Sequence, residues 1–237
     1  MQIKTLLFWI FIVLILYFLI RYYTTSSSLT SLSNAQTMQT LTLTNDPNQP
    51  AGNFTYSMWI YVQDWQYRYG NQKTIFVRSD SAPPDDQEVT SGSPLVFLDK
   101  YQNNLFVVVD TFATGSNQAQ AHTCMVENVP IQKWVHIYIS VYQRELDIYL
   151  DGKLVRTCLM DNVARPLATQ QVYLTPNGGF GGWTSRFQYF GQSGNPQQAW
   201  NLYRAGYGGS MFGNLFGNYK VKIALLSGDT ENKSLTF

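Results

Sequence analysis

The sequence predicts an all-β fold of antiparallel strands, on three observations. From Trp134 to Tyr142, Val135, Ile137, Ile139 and Val141 occupy alternate positions, and Leu146, Ile148 and Leu150 repeat the pattern, which is the period-two signature of half-buried strands. Gln143-Arg144 interrupts the two runs, and Asp151-Gly152 is a two-residue hairpin turn in which Gly tolerates the positive φ such turns need. Phe54, Tyr56, Met58, Ile60 and Val62 share one face of a further strand, with Thr55, Ser57, Trp59 and Tyr61 on the other.

Specific motifs narrow the fold. Trp134-Val135-His136-Ile137, followed by LDIYLDGKL over Leu146 to Leu154, resembles the laminin-G-like, concanavalin-A-like jelly-roll family, whose signature reads W-x-H-[VI] and then L-x-[LI]-Y-x-D-G-K. Phe54 to Trp59 (FTYSMW) is similar to the family's early F-T-x-S-x-W strand, and Phe187 to Tyr203 to its late strand and short helix. Together these pieces span most of the chain after residue 50. The resemblance implies a concanavalin-A-like antiparallel β-sandwich (jelly roll) with one short helix over residues 54–237, and a structural role for His136.

The elements follow in chain order. Thr5 to Ile20 carries no charge and as a helix covers about 24 Å, with Lys4, Arg21, Trp9, Tyr17, Tyr22 and Tyr23 suited to the flanking interfaces. A single transmembrane anchor is expected over 1–23, since no small-x-small cleavage site follows the apolar run. The charge balance places the N-terminus on the cytoplasmic side. Residues 24–53 read as a polar stalk, rich in Ser, Thr, Asn and Gln, in which Leu41 and Leu43 alternate with threonines as a first edge strand would. Strands are expected at Thr74–Arg78, Pro94–Asp99 and Asn104–Thr111, with a turn around Tyr101 to Asn103 between the last two. Asn195 as N-cap, Pro196 at the first position and Gly206 beyond the end predict a helix over Gln197–Ala205. Gly209, Gly213 and Gly217 punctuate an apolar stretch too short to span a bilayer, and Tyr219–Leu226 is expected to be the closing strand. Cys124 and Cys158 are either bridged or two buried thiols.

Composition excludes one class of partner. Sixteen Lys and Arg against fifteen Asp and Glu leave no electrostatic footprint for nucleic acid. Charged residues make up 13% of the chain and Tyr, Phe and Trp 15%, a surface suited to uncharged contacts with protein or sugar. No catalytic, cofactor-binding or metal site is assigned. His122 and His136 are the two histidines, and no Ser or Cys nucleophile can be matched to either. Glu145, Asp147 and Asp151 invite comparison with the E-[IL]-D-x-x-E strand of laminarinase-type glucanases, but Tyr149 or Leu150 stands where the third carboxylate belongs and Asp151 serves the turn. Asp80, Asp85, Asp86 and Glu88 in the Ser79–Ser93 loop offer oxygen ligands for calcium, without a recognised spacing. Asn53 and Asn232 match the glycosylation sequon.

The expected function is therefore that of a membrane-anchored interaction protein whose partners are a lipid bilayer and coat or capsid proteins. Chains of this plan resemble virion proteins of large DNA viruses with an internal membrane, which implies a minor capsid or virion membrane protein. The alternative is a membrane-bound lectin binding carbohydrate through loops at one end of the sandwich, with Trp183, Tyr207, Asp85 and Asp86 as candidates if they converge. A glucanase-like hydrolase is the third reading.

Overall fold

The computed structural model describes residues 9, 11–17, 28–43, 52–85, 87–90, 92–166 and 171–208, together with the backbone of 222–227 and 230–236. The chain divides into two compact units, Ser28–Tyr207 and a second formed by Met1–Ser27 with Gly208–Phe237.

The larger unit is an antiparallel two-sheet sandwich. Its strands in chain order are β1 (Ser33–Asn34), β2 (Gln39–Thr42), β3 (Phe54–Asp64), β4 (Lys73–Arg78), β5 (Leu95–Leu98), β6 (Leu105–Phe112), β7 (Ala119–Val126), β8 (Trp134–Tyr142), β9 (Glu145–Leu150), β10 (Lys153–Leu159), β11 (Gln171–Leu174) and β12 (Gly181–Phe190). Sheet A runs β1-β12-β3-β8-β9-β10 and sheet B runs β2-β11-β4-β5-β6-β7. The predicted two faces of β3 are observed, and the inward one is that of Phe54, Tyr56, Met58, Ile60 and Val62, which join Val135, Ile137, Ile139, Val141, Leu146 and Ile148 in the core between the sheets. Rings of Tyr56, Phe76 and Phe187 meet there at 5.2–5.8 Å. The Arg78 guanidinium donates to the Tyr56 hydroxyl (3.4 Å), and burial pushes that phenol far above its ordinary range.

Helix α2 (Pro196–Arg204) begins one residue before the predicted Gln197, and the Asn195 side chain caps it by accepting from the Gln198 N–H. It covers the outer face of sheet A, where Ala199 packs on Tyr138 and Tyr149. Trp59 therefore stays buried on the face opposite the core, beside Tyr203. A 3-10 turn occupies Pro176–Gly178.

One expectation is extended, one is corrected and one open pair of alternatives is resolved. The segment read as a stalk supplies two edge strands, β1 in sheet A and β2 in sheet B, the latter carrying the Leu41 alternation. The predicted closing strand is found at β13 (Lys222–Ser227), but it pairs with β14 (Thr230–Thr236) in a separate two-stranded sheet of the smaller unit. The sandwich needs no strand from that region, because β1 and β2 already flank β12 and β11. Cys124 and Cys158 form a disulfide, with Cα atoms 6.0 Å apart, that joins edge strand β7 of sheet B to edge strand β10 of sheet A.

Residues 11–17, inside the apolar N-terminal stretch, are helical (α1). Among the described residues no helix is long and apolar enough to cross a membrane, and the remainder of Thr5–Ile20, apart from Trp9, lies outside them. The glycines at 209, 213 and 217 also lie outside the described residues.

Candidate functional site

Strand register brings several connections to one end of the sandwich. Asp64 at the end of β3 pairs with Gly181 at the start of β12, Tyr61 pairs with Trp134 at the start of β8, and Leu105 of β6 pairs with Val126 of β7. The β3–β4, β5–β6, β7–β8 and β11–β12 connections therefore share that end. Between three of them lies an open cleft of about 590 Å³, walled by Trp65, Tyr101, Asn103, Asn104, Glu127 and Asn128.

Each wall has a local cause. The Asp64 carboxylate accepts from the Gln66 N–H (2.9 Å), fixing the turn that carries Trp65. Lys73, fully buried, holds its ammonium 4.6 Å from the Trp65 ring centroid and donates to the carbonyls of Arg68 (3.2 Å) and Lys100 (3.4 Å). Burial, with Arg68 nearby, lowers the pKa of that ammonium. Tyr101 is 60% exposed and meets Tyr69 edge to face at 5.6 Å. The opposite wall is stitched by amides: Asn103 Nδ2 donates to the Val129 carbonyl (2.9 Å), the Val129 N–H returns a bond to the Asn103 carbonyl (2.7 Å), and Asn128 N–H donates to Asn104 Oδ1 (3.1 Å). Asn128 has a φ of 58°, a conformation Asn tolerates better than most residues. The result combines exposed aromatic surface with amide groups in fixed positions and the exposed Glu127 carboxylate. Such a wall stacks on an apolar ligand face while hydrogen-bonding hydroxyls around its rim.

The residues nominated from sequence do not converge as a set. Trp183, 39% exposed, lies on β12 in register with Tyr61 and, through it, Trp134, so the three form one row on the outer face of sheet A. Tyr207 stacks on Trp134 (4.4 Å, 10°), and its carbonyl accepts from Ser185 Oγ (2.7 Å). Together with Arg186 Nη1, which donates to the carbonyls of Ala205 (3.1 Å) and Gly206 (2.9 Å), these bonds fasten the end of α2 to the sheet. Asp85 sits exposed in the Ser79–Ser93 loop, with no contact to that row among the hydrogen bonds and ring contacts of the described residues, and Asp86 lies outside the described residues. Glu88 of the same loop is paired with Lys100 at 2.5 Å. Among the described residues no group of three or more His, Cys, Asp or Glu is placed to hold a metal ion.

The three carboxylates compared with a glucanase strand are engaged differently. Asp147 Oδ1 accepts from Thr157 Oγ1 (2.5 Å), and Glu145 is exposed at the strand end. Asp151, at φ 50°, accepts the His136 N–H (2.9 Å) and pairs with Lys133 (3.1 Å), tying the turn to β8. His136 is buried, bonded to Ser57 Oγ through Nε2 (2.9 Å), and burial lowers its pKa to about 4, with Asp151 opposing and Arg186 reinforcing the shift. It is thus a neutral structural histidine at ordinary pH. Asn53 of the first sequon uses its Oδ1 to accept the Gln143 N–H (2.8 Å), while the side chain of Asn232 lies outside the described residues.

A sandwich of two six-stranded antiparallel sheets has the plan of a jelly roll. The chain belongs to the Concanavalin A-like lectin/glucanases superfamily, whose laminin-G-type family matches residues 35–204. No protein of curated function matches the sequence. Among solved structures, the botulinum neurotoxin serotype D ligand binding domain in complex with N-acetylneuraminic acid is similar, with a TM-score of 0.55 at 12% identity over 76% of this chain and 43% of that one. The receptor binding domain of the C/D mosaic serotype gives 0.54 at 11% over 76% and 44%. The serotype G binding domain gives 0.50 at 16% over 76% and 47%. At these identities the likeness is one of fold, and the chain spans less than half the length of each neighbour.

Proposed function

We propose that this chain is a membrane-anchored, non-catalytic carbohydrate-binding module whose ligand enters the loop-end cleft. The observation that carries this is the pairing of Trp65 and Tyr101 with the Asn103, Asn104 and Asn128 amides around one opening. Membership of a superfamily containing lectins supports it, as does a fold neighbour complexed with a sugar. The uncharged stretch Thr5–Ile20 is the anchor. The Cys124–Cys158 disulfide favours an oxidising compartment, so the sandwich faces away from the cytosol, in keeping with a cytoplasmic N-terminus.

The test is a glycan microarray probed with the full-length chain in detergent, with calcium and with chelator. Specific retention that falls at least tenfold in Trp65→Ala or Tyr101→Ala is expected. Absence of retention on any glycan under both conditions refutes the proposal.

A second reading, docking of a coat protein onto the bilayer as in a virion membrane or minor capsid protein, is favoured by the edge strand β10, which exposes Leu154, Val155 and Leu159. Cross-linking of Lys153 to one coat protein in the native membrane or particle would support it, and cross-links confined to this chain would remove it.

A further inference from the structure

A second, smaller concavity of about 250 Å³ adjoins the cleft, lined by Asn34, Gln36, Gln63, Asp64 and Trp183 over a floor of Gly181 and Gly182. Gln63 and Asp64 line this concavity and Trp65 lines the first, so one continuous rib of chain separates them, with neighbouring Cα atoms ~3.8 Å apart. Both openings are lined by the end of β3 or the residue that follows it.

The smaller opening repeats the chemistry of the larger. The exposed Trp183 indole is fixed by donating its Nε1–H to Gln63 Oε1 (3.3 Å), which leaves the Gln63 amide NH₂ as a donor. Asn34 Oδ1 accepts the Gln36 N–H (2.9 Å), leaving its own NH₂. The floor is restricted to glycine by the backbone of β3: a Cβ at Gly182 would run into the Tyr61 carbonyl, and one at Gly181 would stand 2.8 Å from that of Asp64. At about 250 Å³ the concavity falls below the roughly 300 Å³ at which pockets begin to enclose a whole ligand, so it suits one ring of a longer molecule. Charge narrows the class further. Neither lining contains a lysine or arginine, and each contains one carboxylate, Glu127 or Asp64; the neighbouring Lys100 and Lys133 are paired with Glu88 and Asp151, and Lys73, 4.6 Å from the Trp65 ring centroid, is fully buried and donates to the Arg68 and Lys100 carbonyls.

We propose that the two concavities are adjacent subsites for one neutral oligosaccharide, which crosses the Gln63–Trp65 rib and stacks on Trp183 with its second end. This rests on carbohydrate binding at the cleft and adds the length and charge of the ligand. The probe is an array of cello- and chito-oligosaccharides of increasing length and N-acetyllactosamine with its sialylated form, applied to the full-length chain. Affinity is expected to rise at least tenfold from monosaccharide to trisaccharide, and sialylation is expected to give no gain. Trp183→Ala should abolish the length dependence while monosaccharide affinity stays within twofold, whereas Trp65→Ala should remove both. Asn34→Ala, a change on the edge strand, serves as the second variant if Trp183→Ala loses the native circular dichroism spectrum. Length-independent binding, preference for the sialylated form, or an unchanged length dependence in these variants would overturn the two-subsite proposal and leave cleft binding standing. Retention of no glycan would overturn both.

Discussion

Removing the Cys124–Cys158 bridge should cost a defined amount of stability. The bridge closes a loop with a sequence separation of 34, for which chain-entropy reasoning gives about 3–4 kcal/mol at 25 °C. In a domain of this size each kcal/mol moves the melting temperature by about 2–4 °C, so reduction should lower it by ~6–16 °C. The location makes the full effect available, because the bond joins the outermost strands of opposite sheets and holds one open side of the sandwich. Thermal melting by circular dichroism would compare the oxidised chain, the chain reduced with a phosphine, and Cys124→Ala/Cys158→Ala. The reduced protein and the double variant should melt at similar temperatures, both below the oxidised form. A difference under about 2 °C, or two titratable thiols in unreduced protein, would refute the reasoning.

Acid should weaken the fold through His136. Its folded pKa of about 4 lies below the unfolded value, so the unfolded chain takes the proton first; the stabilisation is complete above about pH 6.5 and is lost as pH falls toward 4, some 3 kcal/mol in all. Urea denaturation at pH 7, 5.5 and 4 should show that slope, and His136→Gln should flatten it. Asn195→Ala removes the cap of α2 and should cost about 1 kcal/mol, read as a lower melting temperature. Gly152→Ala should cost about 1–3 kcal/mol. Gly152 has a φ of 74°, and a Cβ there would stand 3.0 Å from Trp200 and 3.1 Å from Tyr203, so near-ultraviolet dichroism should also change as α2 shifts.

Much of the sandwich was legible because its central strands alternate cleanly and its turn residues are specific. Asp151-Gly152, the inward row of β3 and the capped helix at Asn195 all carry their conformation in local sequence. The edges were not. Strand β7 alternates exposed and buried positions only toward Cys124 and Val126, and β1 is held by bonds to β12 rather than by any pattern of its own. Tyr219–Leu226 has the alternation of a strand, but alternation does not specify a partner, and β13 finds β14. The cleft was illegible for the same reason. Asn103 and Val129 are far apart in sequence and meet through the β6–β7 ladder, so the YQNN turn and the Glu127–Asn128 pair look like ordinary loop residues until that ladder is drawn. Of the nominated residues, Trp183 borders an opening, whereas Tyr207 is spent on fastening α2.

The way the chain enters the sandwich has a mechanical consequence. After Ser28 it is held by the Leu29 N–H on the Phe187 carbonyl (2.8 Å), by Thr30 Oγ1 accepting the Phe187 N–H (3.0 Å), and then by the two residues of β1. Any tension transmitted along the N-terminal segment meets these few edge bonds before it reaches the core ladders of β12, β3 and β8. Peeling β1 would carry Asn34 away from Trp183 and Gln63 while leaving the rest of sheet A paired. Load on the N-terminal segment would then register first as a change in one rim of the small opening.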